Sequence, residues 1–130
     1  MSNRFRAALI LLIIAFVVYM TLLPGNSPIY KTILDIIGHS EIVETLCHMV
    51  VFSLLTVLCF AGALMRLSVQ QALITAACAV LILSVGTEIL QHFFSGRSSS
   101  WLDLAADCVG IVTFVLWVRW WENRHALKLA

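Results

Sequence analysis

Gly86-Thr87-Glu88-Ile89-Leu90-Gln91-His92-Phe93-Phe94-Ser95-Gly96-Arg97-Ser98-Ser99-Ser100-Trp101-Leu102-Asp103-Leu104-Ala105-Ala106-Asp107-Cys108-Val109-Gly110 joins two long apolar runs. It holds three of the seven acidic residues of the chain, one of the eight basic ones and one of the four histidines. Charges set between apolar runs need partners or a task. The runs on either side fix the environment in which they must find one.

Of the 130 residues, 62% are hydrophobic and 12% are charged. Soluble domains average about 45–50% apolar and about 25% charged. A water-soluble fold of this size has too small an interior to hide so much apolar surface, so the chain reads as an integral membrane protein. A net charge of +1, with no basic patch, argues against a nucleic-acid partner. Cys47, Cys59, Cys78 and Cys108 lack metal-ligand spacing, and two of them lie inside apolar runs. They read as small membrane hydrophobes and not as a disulfide framework.

Outward from the opening stretch, residues 72–90 form a run rich in small side chains, which lets helices approach closely in lipid. Residues 102–121 follow it. Its uninterrupted apolar part is short, so Asp103 and Asp107 are expected at or just inside the membrane boundary. Towards the N-terminus, residues 46–64 carry His48 as their one ionisable group other than cysteine. Residues 7–23 are uncharged behind Arg4 and Arg6, and end at Pro24. A cleaved signal peptide is the rival reading there, but the run is long and no A-x-A site follows. Residues 29–45 mix apolar and charged positions and predict a partly helical segment along the interface. The expected fold is all-α: one domain over residues 1–130, with four transmembrane helices at about 7–23, 46–64, 72–90 and 102–121. Residues 91–101 are expected to form a loop.

Lysine and arginine set the orientation. With the N-terminus inside, Arg4, Arg6, Arg66, Arg119, Arg124 and Lys128 are cytoplasmic, against Lys31 and Arg97 outside. The positive-inside rule favours N-in and C-in. Trp101 at one end of the last helix, and Trp117, Trp120 and Trp121 towards the other, fit interfacial aromatic belts. This topology gathers the conspicuous polar residues on the outer face, in a polar pocket. Glu44 and His48 share one helical face. Glu88, Gln91 and His92 are spaced i, i+3, i+4, with Ser84 one turn below. Asp103, Asp107 and Gly110 are spaced i, i+4, i+7.

Each residue also has a plain structural reading. Asp103 suits a helix N-cap or the positive end of the helix dipole. His48 can be a core histidine bonded to a backbone carbonyl, and Gly110 can serve close helix packing. Arg97 in the loop offers a planar fork for a carboxylate or a phosphate. No metal and no cofactor are expected: there is no compact motif such as H-E-x-x-H, and Arg97 competes for the carboxylates.

At these residues the chain resembles the VanZ-like family of small bacterial membrane proteins. The resemblance runs over residues 44–110. It rests on Glu44 and His48 with Phe52 four residues on, then Gly86, Glu88 and Gln91, then Arg97, Asp103, Asp107 and Gly110. Thr45 stands where the family often has lysine, and Asp107 where it often has asparagine. The resemblance implies a multi-helix protein of the bacterial cytoplasmic (inner) membrane, acting at the cell envelope.

Three functions follow as expectations. The first is binding of a lipid or lipid-linked cell-wall precursor head group by Arg97, Glu88, Gln91, Asp103, Asp107, Glu44 and His48. The second is a membrane enzyme acting on such a lipid, with Glu88, His48 or Asp107 as acid or base. The third is a purely structural polar network.

Overall fold

Local signals place the helix starts. Ser27 is extended, its hydroxyl accepts from the Tyr30 amide at 3.1 Å, and Pro28 occupies the first turn. Helix α2 (Pro28–Ile37) begins there and ends at Gly38, whose φ of +99° favours glycine. Helix α1 (Asn3–Thr21) precedes it, and α3 (Glu41–Ala63) follows Ser40. Helix α4 (Val69–Leu90) opens on a capping box in which the Ser68 hydroxyl accepts from the Gln71 amide and the Gln71 side chain accepts from the Ser68 amide. Helix α5 (Trp101–Ala126) is the last element among the described residues. The computed structural model describes residues 3–38, 40–95 and 101–126. His39, Arg97 and Ser98 to Ser100 lie outside the described residues.

Among the described residues the architecture is all-helical, and α1, α3, α4 and α5 are each long and apolar enough to cross a membrane. That is the make-up of a multi-pass membrane protein. Several boundaries differ from the sequence expectation: α1 begins and ends earlier than 7–23, and α5 runs five residues past 121. Helix α3 starts at Glu41 and not near residue 46, because Glu41 and Glu44 suit the electropositive first turn of a helix. Helix α4 starts three residues early on its capping box. The expected loop also begins later: Gln91–Ser95 continue α4 as a π-helical turn.

Helix α3 is central. It packs most extensively on α5, then on α4, while α1 lies against α3. Phe52, Leu55, Val80 and Ile111 form one buried cluster, and Leu73, Phe114 and Val118 a second. All of α1 from Arg4 to Thr21 keeps some exposure, so it is the outermost span. Gly110 lets α3 and α5 approach: a Cβ there would press on the Met49 carbonyl and stand 3.1 Å from the Ser53 nitrogen. The capping box is testable. Ser68→Ala is expected to lower stability by about 1 kcal/mol, read by thermal unfolding in detergent, with Gln71→Ala giving a smaller loss.

Candidate functional site

The ends of α1 and α4 meet the beginnings of α3 and α5 at one end of the bundle. Its early start adds Glu41 to Thr45 to α3, so Glu44 and Thr45 join His48 in the first turns of one helix. The last turns of α4 supply Ser84, Thr87 and Glu88, and the first turns of α5 supply Asp103 and Asp107.

Asp107 is the hub. It is completely buried, and its two oxygens serve two different helices. The Ser84 hydroxyl donates to Oδ2 at 2.6 Å, and His48 Nδ1 lies 3.2 Å from Oδ1. A buried carboxylate in a membrane bundle is costly unless it is bonded in this way. The other imidazole nitrogen, Nε2, lies 4.0 Å from Asp103 Oδ2, and the Thr45 hydroxyl donates to Asp103 Oδ1 at 3.2 Å. The ring stacks over Phe52 with an interplanar angle of 8°, which limits its rotation. His48 thus stands between two aspartates of α5, four residues apart. Glu88 is buried beside them. His48, Glu88 and Asp107 each bring a ligand-type atom within 4.8 Å of the others.

The arrangement differs from a hydrolase triad in the order of its members. There the histidine sits between serine and aspartate and takes the serine proton. Here the aspartate sits between Ser84 and His48, so Ser84 has no imidazole base on its oxygen and is a support for Asp107.

Two further residues tie the periphery. Gln91, 3% exposed, donates its amide to the Thr21 carbonyl at 2.6 Å and so pins α1 to α4. The Tyr30 phenol donates to Glu44, joining α2 to α3. The sequence-selected residues therefore divide. His48, Glu88, Asp103 and Asp107 come together, Glu44 and Gln91 flank them, and Arg97 lies outside the described residues. Tyr30 is an addition to the expected site, as are the bonds from Thr45 to Asp103 and from Ser84 to Asp107. Ser84 lay on the Glu88 face by spacing, which was the available signal. For Tyr30 and Thr45 the partners are 14 and 58 residues away, and no local pattern reports them.

Two apolar clefts flank the buried cluster. One, of about 330 Å³, lies between α4 and α5 and is lined by Val85, Glu88, Ile89, Phe93 and Leu104. The other, of about 260 Å³, lies among α1, α2 and α3 and is lined by Phe16, Val17, Ile33, Glu44 and His48. Each cleft has hydrocarbon walls and at least one ionisable group of the site on its surface.

No family model, curated protein or solved structure matches the chain.

Proposed function

We propose that the chain is a VanZ-like protein of the bacterial cytoplasmic membrane, N-in and C-in. Its polar end binds the head group of a lipid or lipid-linked cell-wall precursor at the outer leaflet. The observation that carries this reading is the pair of apolar clefts beside a buried cluster of ionisable groups. Pockets for small molecules combine mostly apolar walls with a few placed polar groups. A lipid offers the matching pair: a chain for the cleft and a polar head for the cluster. Arg97, from the joining segment, supplies the anion contact, since its guanidinium matches a phosphate bidentately. The excess of lysine and arginine at the opposite end supports the orientation.

The test is mass spectrometry of lipids retained by the purified protein. The wild type is expected to retain a defined anionic or polyprenyl lipid, and Arg97→Ala to lose at least nine-tenths of it. Retention unchanged in Arg97→Ala overturns the reading.

An acid–base enzyme is the second reading, and the His48–Asp107 contact favours it. A carboxylate on one ring nitrogen holds the imidazole in a fixed tautomer, as a general base requires. Turnover of a polyprenyl phosphate by the purified protein, abolished in His48→Ala, separates enzyme from binder.

A further inference from the structure

We propose that His48, Glu88 and Asp107 form a binding site for a first-row divalent cation, Zn²⁺ foremost, with one ligand from each of the three tightly packed helices. This goes beyond the lipid reading and does not depend on it.

The donor set is one imidazole and two carboxylates, and their atoms already lie within 4.8 Å of one another. Ligands on a tetrahedral zinc at about 2.0–2.1 Å stand about 3.4 Å apart. Side-chain rotations that move each atom by about 1 Å or less close that gap. Mixed nitrogen and oxygen donors favour zinc over the oxygen-only preference of calcium and magnesium. Three protein ligands leave the fourth position open, for water or for an anionic oxygen.

The surroundings suit the ligands. His48 Nδ1 and Asp107 Oδ1 are already in hydrogen-bond contact at 3.2 Å, and a cation between them would replace that contact with two metal–ligand bonds. The remaining ring nitrogen then faces Asp103, which Thr45 holds. The remaining oxygen of Asp107 already accepts from Ser84. Metal-bound histidines and carboxylates are held by bonds of this kind, and losing one costs about 10–100-fold in affinity. Charge points the same way. Glu88 and Asp107 are buried and Asp103 lies beside them, so three carboxyl groups stand around His48. A divalent ion brings two charges to the same place.

The test is metal content and affinity of the full chain in detergent. The protein is stripped with chelator, equilibrated with micromolar Zn²⁺, desalted and assayed by mass spectrometry of the metal. One zinc per chain is expected for the wild type. His48→Ala, Glu88→Gln and Asp107→Asn are each expected to bind at least 100-fold more weakly, and Ser84→Ala about 10-fold more weakly. Co²⁺ provides a second readout, because an intense visible absorption band marks a tetrahedral site. The isosteric Asp107→Asn and Glu88→Gln variants, checked for wild-type helicity, keep the test independent of misfolding. Zinc bound equally by the wild type and all three ligand variants overturns the proposal, as does a wild type that retains less than a tenth of an equivalent.

Discussion

Asp107→Ala is expected to destabilise the bundle by about 2–4 kcal/mol, measured by thermal or denaturant unfolding in detergent micelles with chelator present. The truncation removes the acceptor of the Ser84 hydroxyl and the partner of His48 Nδ1 in one step. Both groups then face a gap in a region where Phe52 and Val80 are fully buried. A buried polar group left without its partner costs about 1–3 kcal/mol. Hydrogen bonds between membrane helices average less, about 0.6 kcal/mol, because the separated helices find other partners. Asp107 lies above that average for two reasons: a carboxylate accepts stronger bonds than a neutral group, and it joins three helices at once. Asp107→Asn is the informative companion. Its amide oxygen still accepts from Ser84, and its NH₂ still donates to a neutral imidazole nitrogen. A loss of about 1 kcal/mol or less is expected. Equal stability of Asp107→Ala and wild type would remove Asp107 from the role of hub.

Gly110→Ala is the second large effect, an expected loss of about 1–3 kcal/mol by the same measurement. The added methyl meets backbone on α3, at the Met49 carbonyl and the Ser53 nitrogen, and backbone cannot rotate out of the way. The helices must separate or slide. Met49 adjoins His48, and Gly110 lies less than one turn beyond Asp107, so the same displacement lengthens the 3.2 Å contact between those side chains. Gly86→Ala is the control. A Cβ at Gly86 meets nothing within 4 Å. Alanine there gains helix propensity worth up to about 1 kcal/mol, so the variant is expected to match or exceed the wild type. Similar losses at the two glycines would show that helix propensity and not the α3–α5 approach decides the outcome.

Hydropathy alone made the four spans legible, since runs such as 46–64 and 72–90 have few other places to go. The ends were less legible. Glu41 and Glu44 look like residues of an interfacial segment, yet a helix N-terminus favours both, and α3 takes them in. The π-helical turn at Gln91–Ser95 resembles the start of a polar loop because its first residue is a glutamine. That glutamine is buried, and its partner is a backbone carbonyl of α1, which sequence does not advertise. For the site, spacing put Glu44 with His48, Glu88 with Ser84, and Asp103 with Asp107, each pair on its own helix. Alternation of the spans then brought the three pairs to one end. Spacing could not say that Asp107 takes the centre, since that depends on the rotation of α5 about its axis. Gly110, pressed against α3, sets that rotation.

The bonds at this end also carry an order in time. His48 and Ser84 precede Asp107 by 59 and 23 residues, so both are synthesised before it. An aspartate is unfavourable in a lone inserting helix, by about 2.5–3.5 kcal/mol at the centre and by less towards the end, where Asp107 lies in α5. Asp107 lies on α5, after both helices that carry the groups receiving it. Truncating either receiver should therefore lower the yield of inserted α5 as well as the stability of the finished bundle. The earlier helices act as a prepared berth for the later one.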